Sequence, residues 1–181
     1  MKKAIFLDRD GTIIKFRFPI TQECEIELLP DAAKAVRAMN QAGYLVIIVT
    51  NQPVIAMNIC SEERLDELHS YIRRLFEEQG AHIDGFYYCP HYDMNVKNAR
   101  EEYICQCTCR KPQPGLILKA AKDFDIDLSR SFMVGDTLRD IEAGVAAGCK
   151  SIFVKSGAEE PLKPEAEVYD DIYDFVKKQL V

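Results

Sequence analysis

The chain has 181 residues, 48% of them apolar, which is enough for one compact domain with a continuous buried core. With 29 acidic against 23 basic side chains its formal charge is −6, so it has no general reason to bind nucleic acid or an acidic membrane surface. Met1-Lys2-Lys3 runs into a short apolar segment, too brief for a signal sequence or a membrane span, and an odd count of seven cysteines reads as reduced thiols. A cytoplasmic monomer is expected, with clustered cysteines serving as metal ligands.

The first element is a buried strand over Ala4–Leu7. A helix follows over 31–42, with Ala32, Ala35, Val36 and Met39 on one face and Gly43 as its stop. Leu45–Thr50 reads as the second strand. Ser61-Glu62-Glu63 opens a helix carrying Leu65, Leu68, Ile72, Leu75 and Phe76, which ends before Gly80. Strands at 85–88, 132–135 and 151–154 alternate with helices at 116–124, 140–147 and 172–180. Such alternation implies right-handed crossovers and an α/β fold, a Rossmann-like parallel sheet flanked by helices, whose ligand site lies beyond the carboxyl ends of the strands. The long irregular stretch from Pro90 to Pro114 is dense in Cys, Arg and Lys, which marks it as functional.

Chemistry gathers at the strand ends. Phe6-Leu7-Asp8-Arg9-Asp10-Gly11-Thr12 sets two carboxylates two residues apart where a parallel sheet exposes its active face. Asp8 can attack phosphorus while a divalent ion offsets the repulsion between anions, and Asp10 can protonate the leaving oxygen and later deprotonate water. The ordinary alternative for Asp-x-Asp-Gly is a turn at a strand end. Thr50 and Asn51 close the second strand with a hydroxyl and backbone N–H groups suited to a phosphoryl oxygen. Lys111 can neutralise phosphoryl charge, and Asp136, after Met133-Val134-Gly135, can complete a magnesium site, with Asp140 capping or supporting it. A second constellation, Cys89-Pro90-His91 and then Cys107-Thr108-Cys109 after 15 intervening residues, can close a tetrahedral Cys₃His zinc site, so that a loop over about 89–109 would be ordered by metal. Cys105 could replace Cys107 at similar spacing; the pair Cys107 and Cys109 is preferred because it adjoins Arg110-Lys111. Cys24, Cys60 and Cys149 read as buried or partly buried small hydrophobes, and His69 and His82 as ordinary packed or surface histidines.

In their order, Asp-x-Asp-Gly-Thr, Thr-Asn, Lys and Gly-Asp-x-x-x-Asp make the chain resemble the haloacid dehalogenase superfamily. The resemblance implies Mg²⁺-dependent phosphate hydrolysis, with Asp8 as nucleophile, Asp10 as acid/base, Thr50 and Lys111 as phosphoryl stabilisers, and Asp8, the Asp10 carbonyl and Asp136 as metal ligands. The Cys-x-His and Cys-x-Cys-Arg-Lys-Pro runs are similar to the capless branch of heptose-bisphosphate and histidinol-phosphate phosphatases, the former being the nearer. Residues 11 to 49 leave no room for an inserted lid. A single domain over 1–181 is expected, acting on a small phosphorylated sugar and supplying nucleotide-activated heptose for surface glycans such as lipopolysaccharide. Phe16-Arg17-Phe18-Pro19 and Thr50-Asn51-Gln52-Pro53 occupy that branch's sugar-contact positions, and Arg110 would help Lys111 recognise substrate. Two departures bear on specificity. An arginine expected near Met57-Asn58 is missing, and Thr137 stands where lysine often follows the metal-binding aspartate. Histidinol phosphate is the next substrate by resemblance, and a zinc-stabilised binding module without turnover is the reading from a different class.

Overall fold

A computed structural model describes residues 1–94, 96–157 and 166–180, so residue 95 of the loop 89–109 lies outside the description. Six parallel strands form one sheet: β1 (Ala4–Leu7), β2 (Leu45–Asn51), β3 (Gly85–Cys89), β4 (Phe132–Gly135), β5 (Lys150–Val154) and β6 (Glu167–Tyr169), in the order β3-β2-β1-β4-β5-β6. The order reverses at β1, which pairs with β2 through Leu7↔Ile48 and with β4 through Leu7↔Val134. Crossover helices are α1 (Ala32–Gln41), α2 (Glu62–Glu77), α3 (Gly115–Phe124) and α4 (Leu138–Ala147), with α5 (Ile172–Gln179) after β6.

The period-two geometry of strands sorts the core. Ile5, Leu7, Val46 and Ile48 face one side, packing with Val36 and Met39 of α1, Leu68, Ile72 and Phe76 of α2, and Phe175 and Val176 of α5. Ala4, Phe6, Ile47 and Val49 face the other, against Leu116, Ile117 and Ala120 of α3 and Ala143 and Ala147 of α4. A third, small cluster of Val54, Ile55, Cys60 and Leu65 lies with Tyr88 and Tyr103 between the loop after β2 and the cysteine-rich segment. Between β1 and β2 the chain has only irregular turns, a 3-10 turn at Glu23–Glu25 and α1, so no inserted lid covers the sheet edge.

The predicted elements recur with ends moved by one or two residues, and four details differ. Helix α1 starts at Ala32, not residue 31, because Asp31 takes a left-handed conformation (φ 57°), where it pairs with Lys34 at 2.6 Å. Helix α4 starts at Leu138, because Thr137 and Asp140 close a capping box in which the Asp140 carboxylate accepts from the Thr137 N–H at 3.1 Å. Strand β6 was not expected, being three residues long and therefore without a legible period. Cys24 is exposed, since it sits in the surface 3-10 turn, whereas Cys60 and Cys149 are buried as expected. Among the described residues, no helix is long and apolar enough to cross a membrane.

Candidate active site

Asp8 follows β1 directly, and its N–H donates to the Val134 carbonyl at 3.0 Å, extending the β1–β4 pairing to the first functional residue. The chain then turns, with the Ile13 and Ile14 N–H groups donating to the Arg9 carbonyl at 3.0 and 3.1 Å. Gly11 holds φ +83°, a conformation open to glycine. The turn also needs glycine for space, because a Cβ there would overlap the Asp136 carboxylate. A Cβ on Gly157 would overlap the same carboxylate, and Ser156 Oγ ties that loop to the Gly11 carbonyl at 2.8 Å. Asp136 is thus wedged between two glycines, with the Thr12 hydroxyl donating to its Oδ1 at 3.1 Å.

Lys111 reaches the same point from the end of the long loop. Its ammonium donates to Asp8 Oδ1 and to the Val49 carbonyl, each at 2.8 Å, and pairs with Asp140 Oδ1 at 2.5 Å. Asn51 clamps its backbone from both sides: Lys111 N–H donates to Asn51 Oδ1 and Asn51 Nδ2 donates to the Lys111 carbonyl, each at 3.0 Å. Burial works against the lysine charge, but Asp140 and Asp8 overrule it and hold its pKa above the ordinary value. Burial, and then the charges of Asp8 and Asp140, push Asp136 up to about 8. Asp8, Asp136 and Asp140 offer carboxylate oxygens within 4.8 Å of one another. Three buried carboxylates around one ammonium leave an excess of negative charge on hard oxygen donors, which is the chemistry a magnesium-sized cation fits.

Asp10 turns away from that cluster. Arg9 Nε donates to Asp10 Oδ2 at 3.0 Å and Nη2 to Oδ1 at 3.2 Å, while Gln52 Nε2 reaches Asp10 Oδ2 at 3.0 Å and Thr50 Oγ1 at 2.9 Å. Burial raises the Asp10 pKa against the opposing pull of Arg9.

Above these groups lies a cavity of about 240 Å³. Asp8, Asp10, Lys111 and Asp136 line its floor; Phe16, Arg17 and Phe18, Asn51, Gln52 and Pro53, and Arg110 line its walls. Pro19 and Thr50 are not on its wall, the Thr50 hydroxyl being engaged by Gln52. Phe16 and Phe18 stand 61% and 51% exposed at the mouth, leaving apolar rings free to cover a guest. Ile20, Val54, Thr137, Arg139 and Asp140 also line the cavity; of these Thr137, directly after Asp136, and Asp140, four residues after it, had a sequence signal.

Away from the carboxylates, Cys89, His91, Cys107 and Cys109 converge. Cys109 Sγ lies 3.2 Å from Cys89 Sγ, 3.4 Å from Cys107 Sγ and 3.3 Å from His91 Nδ1, and Cys89 Sγ lies 3.6 Å from Cys107 Sγ. A tetrahedral ion with Zn–S bonds of about 2.3 Å would separate its sulfurs by about 3.8 Å, so the cluster fits zinc with small adjustments. Hydrogen bonding from Cys89 foremost, then from Cys107 and His91, holds the Cys109 thiol down to about 5. Cys105 is exposed and lies outside the cluster, which Cys107 joins. Two links join the cluster to the cavity: the Arg110 N–H donates to Cys107 Sγ at 3.3 Å, and Arg110 Nη1 donates to the His91 carbonyl at 3.1 Å.

Residues 108–176 match the HAD-hydrolase-like family model. The chain is 37% identical to the D-glycero-beta-D-manno-heptose-1,7-bisphosphate 7-phosphatase of Pasteurella multocida, over 98% of this chain and 96% of that protein. To the protein of the same name from Haemophilus influenzae it is 36% identical, over 100% and 94%. Among solved structures it superposes on a D,D-heptose 1,7-bisphosphate phosphatase from B. bronchiseptica, complexed with magnesium and phosphate, with a TM-score of 0.85, 29% identity and 98% of each chain covered.

Proposed function

The chain belongs to the HAD-like phosphatases, in the family of D-glycero-beta-D-manno-heptose-1,7-bisphosphate 7-phosphatases, and is a phosphoric monoester hydrolase; from that premise we propose that it removes the C7 phosphate of the heptose 1,7-bisphosphate and keeps the C1 phosphate. The observation that carries the reading is the meeting of Asp8, Lys111, Asp136 and Asp140 beneath one cavity, with Asp10 two residues from Asp8.

Asp8 attacks phosphorus to form an aspartyl-phosphate, and the leaving C7 oxygen takes its proton from Asp10. Asp10 then removes a proton from water, which attacks the same phosphorus, releases inorganic phosphate and restores the Asp8 carboxylate. Lys111, held on Asp8 and Asp140, offsets charge on the phosphoryl oxygens, while Asn51 keeps the Lys111 backbone in place and Thr50 accepts from Gln52. Asp8, Asp136 and the Asp10 carbonyl would hold Mg²⁺, with Asp140 alongside; the ion lowers the repulsion between Asp8 and the phosphate dianion. Cys89, His91, Cys107 and Cys109 would hold Zn²⁺ and fix the loop that ends in Arg110 and Lys111. Phe16, Arg17 and Phe18, Asn51, Gln52 and Pro53, and Arg110, which line the cavity, contact the sugar and its second phosphate. The chain acts as a single domain in the cytoplasm, and its product feeds nucleotide activation of heptose for surface glycans.

A phosphate-release panel tests this reading. Heptose 1,7-bisphosphate should be turned over far better than histidinol phosphate or p-nitrophenyl phosphate; equal rates on all three would remove the heptose assignment, and no release at all would favour a binding module.

A further inference from the structure

His69 belongs to no motif, yet it touches the catalytic machinery from behind. It lies on α2, 4% exposed, with its ring stacked on Phe86 at 4.8 Å and 18° and tilted against Tyr88 at 5.7 Å. Its Nε2 stands 3.3 Å from Arg9 Nη1, and its Nδ1 has no hydrogen-bond partner among the described residues. Arginine has donors only, so Nε2 is the acceptor and the ring proton sits on Nδ1. Burial foremost, and then the charges of Arg9 and Arg73, keep the imidazole neutral, as an acceptor must be.

Arg9 is itself 3% exposed, and its other donors are committed on the catalytic side: Nε and Nη2 to the two oxygens of Asp10, and Nη2 also to Gln52 Oε1 at 2.9 Å. The guanidinium fork is planar and rigid, so its aim at Asp10 depends on where the far side is held. Among these contacts, His69 supplies that hold. Without it a buried Nη1–H loses its acceptor, and rotation of the guanidinium to recover one opens the fork. We propose that His69 is a positioning residue for the proton-transfer step, aiming the Asp10 carboxylate through Arg9. The proposal rests on the reading of Asp10 as the acid/base.

The test compares His69→Phe, which keeps the ring stack without an acceptor, with His69→Gln, which restores one. On heptose 1,7-bisphosphate the Phe variant should lose about tenfold in kcat with KM within about twofold, and the Gln variant should recover most of the loss. With p-nitrophenyl phosphate, whose leaving group needs no proton, the Phe variant should keep a rapid p-nitrophenolate burst while its steady-state turnover falls. An unchanged kcat, a fall confined to KM, or burst and turnover falling together would overturn the proposal. If the Phe variant does not fold, His69→Leu takes its place in the same comparison. Asp10→Asn separates the two levels. Full turnover by that variant removes the acid/base reading itself, whereas an inactive Asp10→Asn beside a fully active His69→Phe removes only the role given to His69.

Discussion

The carboxylate cluster and the cysteine cluster are both groups of like ligands crowded within 4.8 Å, but the chain assembles them by different means. Residue 8, residue 111 and the pair 136 and 140 are far apart in sequence, and residues 8, 136 and 140 are placed by the ends of the buried strands β1 and β4 and by the first turn of α4. Cys89 ends β3, and residues 91, 107 and 109 sit on the irregular loop after it, whose described backbone bonds include Tyr92 N–H to the Tyr103 carbonyl at 3.0 Å, Cys105 N–H to the Tyr92 carbonyl at 3.0 Å and Arg100 N–H to the Ala56 carbonyl at 2.8 Å. Strand pairing sets the carboxylates of the first cluster, whereas irregular chain sets most of the second. On the proposed reading, the loop that zinc would order carries both Arg110, on the cavity wall, and Lys111, on its floor.

The sharpest break in that comparison is Asp8→Asn. Turnover should fall by at least about 10³-fold, since the nucleophile is gone, while the thermal midpoint stays level or rises because one buried negative charge has been removed. Activity surviving the change would end the covalent mechanism. Cys109→Ser should act the other way round. Zinc content should drop, the loop should open to proteolysis, and activity should fall by about 10²-fold through misplacement of Lys111 two residues on, with far-ultraviolet circular dichroism little altered. If zinc is lost and activity is not, the loop and the catalytic floor are independent.

Asp136 adds a pH signature that belongs to the sheet site alone. Its native pKa of about 8 lies above the unfolded carboxylate value of about 3.9. The folded state therefore binds more protons between those values, and the stability of the magnesium-free protein should decline as pH climbs from about 4 to about 8. Magnesium requires the ionised form, so adding it should flatten the curve, and Asp136→Asn should remove this contribution to the slope. Urea unfolding at a series of pH values, with and without magnesium, reads all three. A magnesium-free stability that rises through this window would show that burial does not hold Asp136 protonated.

The two regions were also unequally legible. Strand ends announce themselves, because a short apolar run followed by Asp8-Arg9-Asp10 or by Gly135-Asp136 fixes both the element and the side of the sheet, and those carboxylates stand where expected. The cysteine cluster followed from spacing, with only Cys105 against Cys107 left to geometry. Positions that depend on packing between distant elements stayed hidden. His69 looks like any polar residue on an amphipathic helix until Arg9 is seen to need an acceptor, and Arg139, in the first turn of α4, joins the cavity without a sequence signal. Thr50, chosen for its hydroxyl, is engaged by Gln52, a side-chain partnership that no spacing rule encodes.

The smallest expected effect lies where the two regions meet. Glu62 opens α2, and its carboxylate accepts from the Tyr88 hydroxyl at 2.7 Å and from the Tyr103 hydroxyl, joining the cysteine-rich loop to the helix that carries His69. The Tyr103 bond first, then the Tyr88 bond, hold its pKa below the ordinary carboxylate value. Its contribution is therefore fully present above the unfolded pKa and is lost as pH falls through the lower native one, opposite in sign to that of Asp136. Glu62→Gln keeps an acceptor oxygen but not the charge, and should cost about 1 kcal/mol near neutral pH. If the loop is the less self-supporting region, amide exchange around residues 100–105 should quicken in this variant while exchange in β1 and β4 does not change. Equal quickening in both would mean that the loop and the sheet open as one unit, and the contrast between the sheet site and the loop would have to be given up.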